Sequence, residues 1–305
     1  MKQILKLWIR RINSYPRIKN IVRALIAALP SAKIRYFLRP KIEREWDEEI
    51  FQSSLGKLTF YYPSRNEVGI YASEFGIWDD LAPFFKRFIK SPRLIMEVGA
   101  HIGIDTLTIA RIVPKSCRII AFEPADKYRS VLEKNVVANR LNNVEVYKHF
   151  VSSVGEKSEL LHINMTSASI VPNASKSFPT IETQPVLTIT LDEFARKHPL
   201  ENLDLLKTDT DGSDQDVIEG AKGIITKFHP FLFVEFSGYH LERAKKGGSN
   251  LALAKLIYEL GYRRFIVIDK QKNEHAEFDD YRELIRSSDS QGSFNVFAVP
   301  KEKAL

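Results

Sequence analysis

One stretch of some thirty residues limits the fold more than any other. Leu94-Ile95-Met96-Glu97-Val98 is a short apolar run that leads into Gly99-Ala100-His101-Ile102-Gly103. A helix-compatible segment follows over 103–112. A second apolar run, Arg118 to Phe122, then ends on Glu123-Pro124. Two such runs bridged by a helix predict a parallel βαβ unit, because parallel strands need a crossover connection. An acidic residue at the tip of the second strand, after a glycine loop, is the usual clamp for the two hydroxyls of a ribose. Glu123 lies 20 residues past Gly103, which fits that geometry. The chain is therefore expected to bind a cofactor that contains a nucleoside.

The chemistry of the loop narrows the choice. A dinucleotide site needs Gly-x-Gly-x-x-Gly, so that a pyrophosphate can approach the backbone and sit on the helix N-terminus. Here the two glycines are four apart and His101 stands between them, where a side chain crowds a pyrophosphate. Glu97, two residues before Gly99, would repel phosphate. It suits a cofactor with a cationic end, and S-adenosylmethionine carries both an ammonium and a sulfonium. The expected cofactor contacts are Glu97, Gly99, Ala100, His101, Ile102, Gly103, Glu123 and Pro124. Two roles for His101 stay open: contact with the cofactor, or capping of the helix that follows.

Downstream, strands and helices alternate, as in a doubly wound α/β sheet. Strands are expected at 94–98, 118–122, 144–148, 203–208 and 231–236, with helices at 103–112, 126–140, 214–226 and 249–260. Apolar runs at 264–268 and 294–299 add a closing antiparallel pair. The total is seven strands in a Rossmann-like sheet with helices on both faces. Thr190-x-x-Glu193 predicts a capping box. Residues 152–185 read as a polar, serine-rich excursion whose His162, Ser167 and Ser169 are candidates to line an acceptor pocket.

In open α/β sheets the ligand binds beyond the carboxyl ends of the strands, at the switch point. The fourth strand ends on Lys207-Thr208-Asp209-Thr210-Asp211-Gly212-Ser213-Asp214, and the fifth on Val234-Glu235. Asp209, Asp211 and Glu235 should therefore converge, with Lys207 as a base or a charge partner. Clustered carboxylates raise the pKa of at least one member and so make a general base. Alternatively, Asp209, Asp211 and Glu235 hold a divalent cation.

Charge separates the N-terminus from the rest. Residues 1–42 hold 11 Lys/Arg and no Asp/Glu, which leaves 34 basic against 38 acidic residues in the remainder. A nucleic-acid-binding body would carry its own basic patches, so no nucleic-acid partner is expected. The arm reads as two amphipathic helices: Ile4, Leu5, Trp8 and Ile12 in the first, then Ile18, Ile21, Val22, Leu25, Ile26 and Leu29 beyond Pro16. Its longest uncharged run, Ala24 to Ala32, is nine residues, far short of the roughly 20 that span a bilayer. Attachment to an anionic membrane surface and packing against protein are both open readings. A single cysteine, Cys117, excludes an internal disulfide framework and suits a reducing compartment. The organisation expected is a basic arm over 1–45, a transition or lid segment over 46–90 that includes a helix from Ile77 to Phe88, and the sheet domain over 91–305. The location expected is cytoplasmic, free or at the inner face of a membrane.

Glu97-Val98-Gly99-Ala100-His101-Ile102-Gly103, Phe122-Glu123-Pro124, Thr190-Leu191-Asp192-Glu193, and Leu206 to Gly212 through Asp216-Val217-Ile218-Glu219-Gly220-Ala221 together resemble the FkbM-type methyltransferases. The resemblance covers roughly 94–299. Asp211 and Asp214 stand where glutamate is usual in that family, and His101 where asparagine is usual. The resemblance implies S-adenosylmethionine-dependent O-methylation of a sugar, glycolipid or natural-product hydroxyl. Rival readings are an N-methyltransferase on the same fold, a non-catalytic membrane-associated scaffold, and a nicotinamide oxidoreductase. The fourth strand end lacks an Asn/Asp-Pro-Pro-aromatic element, which weighs against the first. Burying unpaired acids without function is costly, which weighs against the second. The loop weighs against the third.

Overall fold

The fold is that of a computed structural model, which describes residues 9, 12, 14–43, 50–55, 57–64, 66–76, 81–172, 180–237, 249–269, 274–288 and 293–303. The chain divides into two compact units, residues 1–78 with 137–140 and residues 79–136 with 141–305.

The smaller unit contains α1 (Pro16–Ala27), α2 (Ala32–Glu43), the hairpin of β1 (Ile50–Leu55) and β2 (Leu58–Pro63), and α3 (Glu67–Phe75). Pro16 opens α1, where its fixed φ suits a first turn and its missing N–H is not needed. The Asn66 side chain caps α3 by accepting from Gly69 N at 2.7 Å. Arg35 and Arg39 both pair with Glu74, at 2.6 and 3.5 Å. Arg23 and Arg39 lie over the Phe51 ring. Within α1, Ile26 and Lys19 are buried, whereas Ile18, Ile21 and Leu25 of the predicted apolar face point outward. The earlier predicted helix falls almost entirely outside the described residues. So do residues 77–80 of the proposed lid helix, which is described as α4 (Ala82–Arg87) in the larger unit.

In the larger unit β3 (Leu94–Val98), α5 (Ile104–Ile112), β4 (Arg118–Phe122), α6 (Asp126–Ala138) and β5 (Val144–Tyr147) follow in turn. Next come the short strands β6 (Phe150–Val151), β7 (Ser158–Ile163), β8 (Ala168–Ser169) and β9 (Glu182–Ile189), then α7 (Leu191–Lys197). The second half holds β10 (Leu205–Thr208), α8 (Asp214–Glu219), α9 (Lys222–Phe228), β11 (Phe231–Ser237), α10 (Asn250–Glu259), β12 (Tyr262–Asp269), β13 (Glu274–Phe278), α11 (Tyr281–Ser288) and β14 (Ser293–Pro300). The main sheet runs β13-β12-β14-β11-β10-β3-β4-β5. Its five strands from β11 to β5 are parallel, and β14, β12 and β13 are antiparallel.

The expected Rossmann-like sheet is therefore present with eight strands rather than seven. The extra strand, β13, lies in a polar stretch without alternation, because an edge strand has only one neighbour to satisfy. Helices cover both faces. Leu94, Met96, Val98, Leu206, Leu232 and Val234 point into one core with Leu191, Phe194, Val217 and Leu253. Ile95, Leu205, Phe231 and Phe233 point into the other with Phe84, Phe85 and Ile109. This alternation within largely apolar strands is what a parallel sheet buried on both faces requires.

Two further expectations are corrected. The polar excursion is a second sheet of order β6-β9-β7-β8. The single helix expected over 214–226 is two helices, α8 and α9. The break falls at Gly220, where a Cβ would sit 2.2 Å from the carbonyl oxygen of Ser152. The capping box forms as expected: Glu193 N donates to Thr190 Oγ1 at 3.0 Å, and Thr190 N to Glu193 Oε2 at 3.1 Å. Its neighbour Asp192 reaches across to α9, where its two oxygens accept from Gly223 N and Ile224 N, each at 2.8 Å. Asp192→Ala should leave both donors uncapped and lower stability by about 1–2 kcal/mol in urea unfolding, with Asp192→Asn losing less.

Candidate active site

Strand register sets the site. Val98 pairs with Phe122 on one side and Thr208 on the other, and Thr208 pairs with Val234. The residues that follow, Gly99, Glu123, Asp209 and Glu235, therefore stand along one carboxyl edge of the sheet. Between β3 and β10 the strand order reverses, which opens the crevice where ligands of such sheets bind.

The glycine loop forms one wall. Gly99 N and Ala100 N donate to Phe122 O at 3.1 and 3.0 Å. Gly99 has φ +82, and a Cβ there would lie 1.9 Å from Asp209 O, so only glycine lets the two strand ends close up. Ala100 and Ile102 are buried, and Asn135 Nδ2 ties the loop down through Ile102 O at 2.8 Å. Gln184 Nε2 donates to Pro124 O at 3.2 Å.

Glu123 is held by two backbone donors, His101 N to Oε2 and Ala125 N to Oε1, both at 2.8 Å. Burial outweighs these bonds and pushes its pKa up to about 7. His101 adopts φ +53, a left-handed conformation that asparagine takes more easily than histidine. Its ring packs on Tyr128 with centroids 4.1 Å apart. Burial lowers its pKa to about 3, so it is neutral. His101 does not cap α5, whose N-cap is Gly103 without a side-chain bond. Its backbone instead orients the carboxylate of Glu123.

Lys207 lies beneath the crevice with side-chain exposure of 2 %. Its Nζ is 2.9 Å from Asp105, 3.7 Å from Glu97 and 3.8 Å from Asp209. The three carboxylates raise its pKa against the effect of burial, so it stays a cation and serves as a charge partner. Glu97 Oε2 accepts from Thr106 Oγ1 at 2.6 Å. Glu97 Oε1 is buried and accepts no hydrogen bond. Burial raises the Glu97 pKa to about 7.

The acids form the opposite wall. Asp211 at φ +51 and Gly212 at φ +109 turn the chain between β10 and α8. Burial, then the charges of Asp209 and Asp214, push the Asp211 pKa to about 7, although the Ser167 side chain donates to it. Asp214 accepts from Thr208 Oγ1 at 2.7 Å and is raised to about 6, chiefly by burial. Glu235 Oε1 accepts from Ser293 Oγ at 2.9 Å, while Oε2 is buried without a bond. Burial and then the charges of Asp209, Asp211 and Asp214 raise the Glu235 pKa well above the usual carboxylate range.

A tight turn roofs this corner. Asn164 Oδ1 accepts from Thr166 N and Ser167 N at 2.7 and 2.8 Å. Tyr128 Oη donates to Asn164 O at 2.5 Å. The turn thus spans from the glycine-loop side at Tyr128 to the acid side at Asp211. Sequence reasoning named Ser167 but missed Tyr128, Asn164, Asp105, Thr106 and Ser293. Asp105 carried a signal, being an acid two residues past Gly103 in the first turn of α5. The others come from segments whose pairing no local pattern predicts.

The residues present fit S-adenosylmethionine. Glu97 is a buried carboxylate of the sign an ammonium needs, with its Oε1 facing Lys207 Nζ at 3.7 Å and accepting no hydrogen bond, and Glu123 is a preset carboxylate. A shared divalent cation on Asp209, Asp211 and Glu235 is not supported, because among the described residues no three acidic, His or Cys groups are placed to hold one.

Residues 97–286 match the methyltransferase FkbM domain. A curated relative, "Methyltransferase 1" of Beauveria bassiana, is 24% identical over 163 residues, which cover 46% of this chain and 61% of that protein. Among solved structures, a methyltransferase FkbM from Methylobacillus flagellatus is 15% identical, covering 94% of this chain and 60% of the other, with a TM-score of 0.39. An O-methyltransferase from Bacillus cereus in complex with S-adenosylhomocysteine is 15% identical, covering 72% and 79%, with a TM-score of 0.41. The domain match marks the chain as a member of a methyltransferase family. It belongs to the FkbM methyltransferase family.

Two variants test the electrostatics. Lys207→Met should cost about 3–5 kcal/mol in chemical unfolding, since it strands the buried Glu97 carboxylate without a counter-charge. Asp211→Asn should do the reverse. The folded-state pKa of Asp211 is raised from 3.8 to about 7, so the wild type loses stability as pH rises through that interval. Asparagine tolerates the left-handed backbone. The variant should melt a few degrees higher at pH 8 and no higher at pH 4.

Proposed function

We propose that the chain transfers the methyl group of S-adenosylmethionine to a hydroxyl of a sugar, glycolipid or natural product. The observation that carries this reading is the set of acids at the ends of β10 and β11, where Asp211 is poised near neutrality. A hydroxyl must lose its proton as its oxygen bonds to carbon, and a base is most effective when its pKa lies near the working pH.

S-adenosylmethionine supplies an electrophilic methyl group when bound. Glu123 would hold its ribose hydroxyls, Glu97 its ammonium, and the loop from Gly99 to Gly103 its backbone-facing side. Asp211 accepts the acceptor's proton. Glu235, whose Oε2 is buried without a hydrogen-bond partner, lies beside these acids as a further group for binding the acceptor. Asp209 presents a second acceptor toward solvent, and Lys207 fixes Asp209 and Glu97 from below. Ser167 holds Asp211 in place from the overlying turn, whose sheet supplies the acceptor side of the crevice.

Calorimetric titration with S-adenosylhomocysteine, against NAD as comparator, tests the cofactor. Binding of the first and not the second is expected, weakened about 10- to 100-fold by Glu123→Ala, the worth of a charged hydrogen bond. Binding of NAD alone would overturn the loop argument. Incubation with methyl-labelled S-adenosylmethionine and a panel of saccharide and polyol acceptors tests the reaction. Label should appear in O-methyl ethers, with kcat rising through about pH 7 and falling about 10²- to 10⁴-fold in Asp211→Asn. Label found only on nitrogen would refute hydroxyl transfer.

A further inference from the structure

We propose that the outward face of α1, continued by α2, docks the chain on an anionic lipid bilayer. Steps of three and four residues set Ile18, Ile21 and Leu25 on one side of α1. These side chains are 45, 59 and 64 % exposed. The same spacing in α2 sets Ile34 beside Phe37, which are 49 and 60 % exposed. Tyr15, at the start of α1, is exposed as well. The sequence left packing and membrane attachment open for these apolar positions. In the folded unit the helix buries Ile26 and the stem of Lys19 instead. A soluble helix normally turns its apolar stripe inward, so an outward stripe marks a surface that meets another apolar phase.

Charge selects the occupant. Residues 1–42 carry 11 cations and no anion. Arg17 and Lys33 flank the stripe and are exposed. Two copies of such a surface would repel each other, which disfavours self-association through it. An anionic headgroup layer attracts it, with each cation near the surface worth about 1 kcal/mol. An apolar face with a cationic border lies in the plane of the interface rather than across it. In keeping with this, no helix among the described residues is long and apolar enough to cross a membrane.

Co-sedimentation of the full chain with vesicles tests the proposal. One set is pure phosphatidylcholine, and the other contains about 30 mol% phosphatidylglycerol. Binding to the anionic set only is expected, and it should weaken as salt is raised. Ile18→Asp/Ile21→Asp/Leu25→Asp should reduce binding at least tenfold. Those residues are exposed, so affinity for S-adenosylhomocysteine and the melting temperature should be unchanged. Arg17→Glu/Lys33→Glu should reduce binding while leaving the apolar stripe intact. The proposal is overturned if the wild type ignores both vesicles or if the triple variant binds equally well. A concentration-dependent dimer in sedimentation velocity, abolished by the triple variant, would also overturn it by assigning the face to a second copy.

Discussion

Lys207 is a full positive charge with almost no contact with water, and the site is arranged around it. A cation in that position can exist only if carboxylates surround it, since burying an unpaired charge costs far more than a small domain can supply. Those carboxylates come from three places: Glu97 within β3, Asp105 in the first turn of α5, and Asp209 just past β10. One ammonium group thereby links the strand before the glycine loop, the helix after it and the strand across the switch point. The main-chain contact at Gly99 brings the same two strand ends together. The crevice is thus shaped by one charge and one missing side chain.

Around this core stands a further set of acids. Glu123, Asp211, Asp214 and Glu235 all have raised pKa values, chiefly because of burial. Each works against folding at neutral pH, because the ionised form is worse off in the fold than in the unfolded chain. A fold under no functional demand would replace them with neutral residues of similar size. Their grouping at the strand ends is the familiar exchange of stability for chemistry.

Much of this was legible in the sequence, and the reasons differ by element. The parallel strands could be read because they are buried on both faces and hence almost wholly apolar. Glu123 and Asp209 directly follow β4 and β10, Glu97 and Glu235 lie near the carboxyl ends of β3 and β11, and Asp211 lies three residues past β10, so the strand pattern indicated their places along the edge. β13 could not, since an edge strand lacks a double-sided apolar pattern. The β7–β9 region read as a loop because strands with one wet face and serine-rich connections carry little local signal. Tyr128 and Ser293 enter the site from distant segments, and only the assembled fold reveals them. The break between α8 and α9 also has a tertiary cause, the approach of the Ser152 carbonyl to Gly220.

The second sheet begins and ends beside itself. Phe150 and Val151 of β6 pair directly with Thr188 and Ile189 of β9. Everything between them, including the turn that touches Tyr128 and Asp211, is therefore a cassette whose entry and exit are neighbours. Lengthening or exchanging such a segment adds little closure entropy and leaves the register of the main sheet untouched. Changes within it would leave the glycine loop and Lys207 where they are.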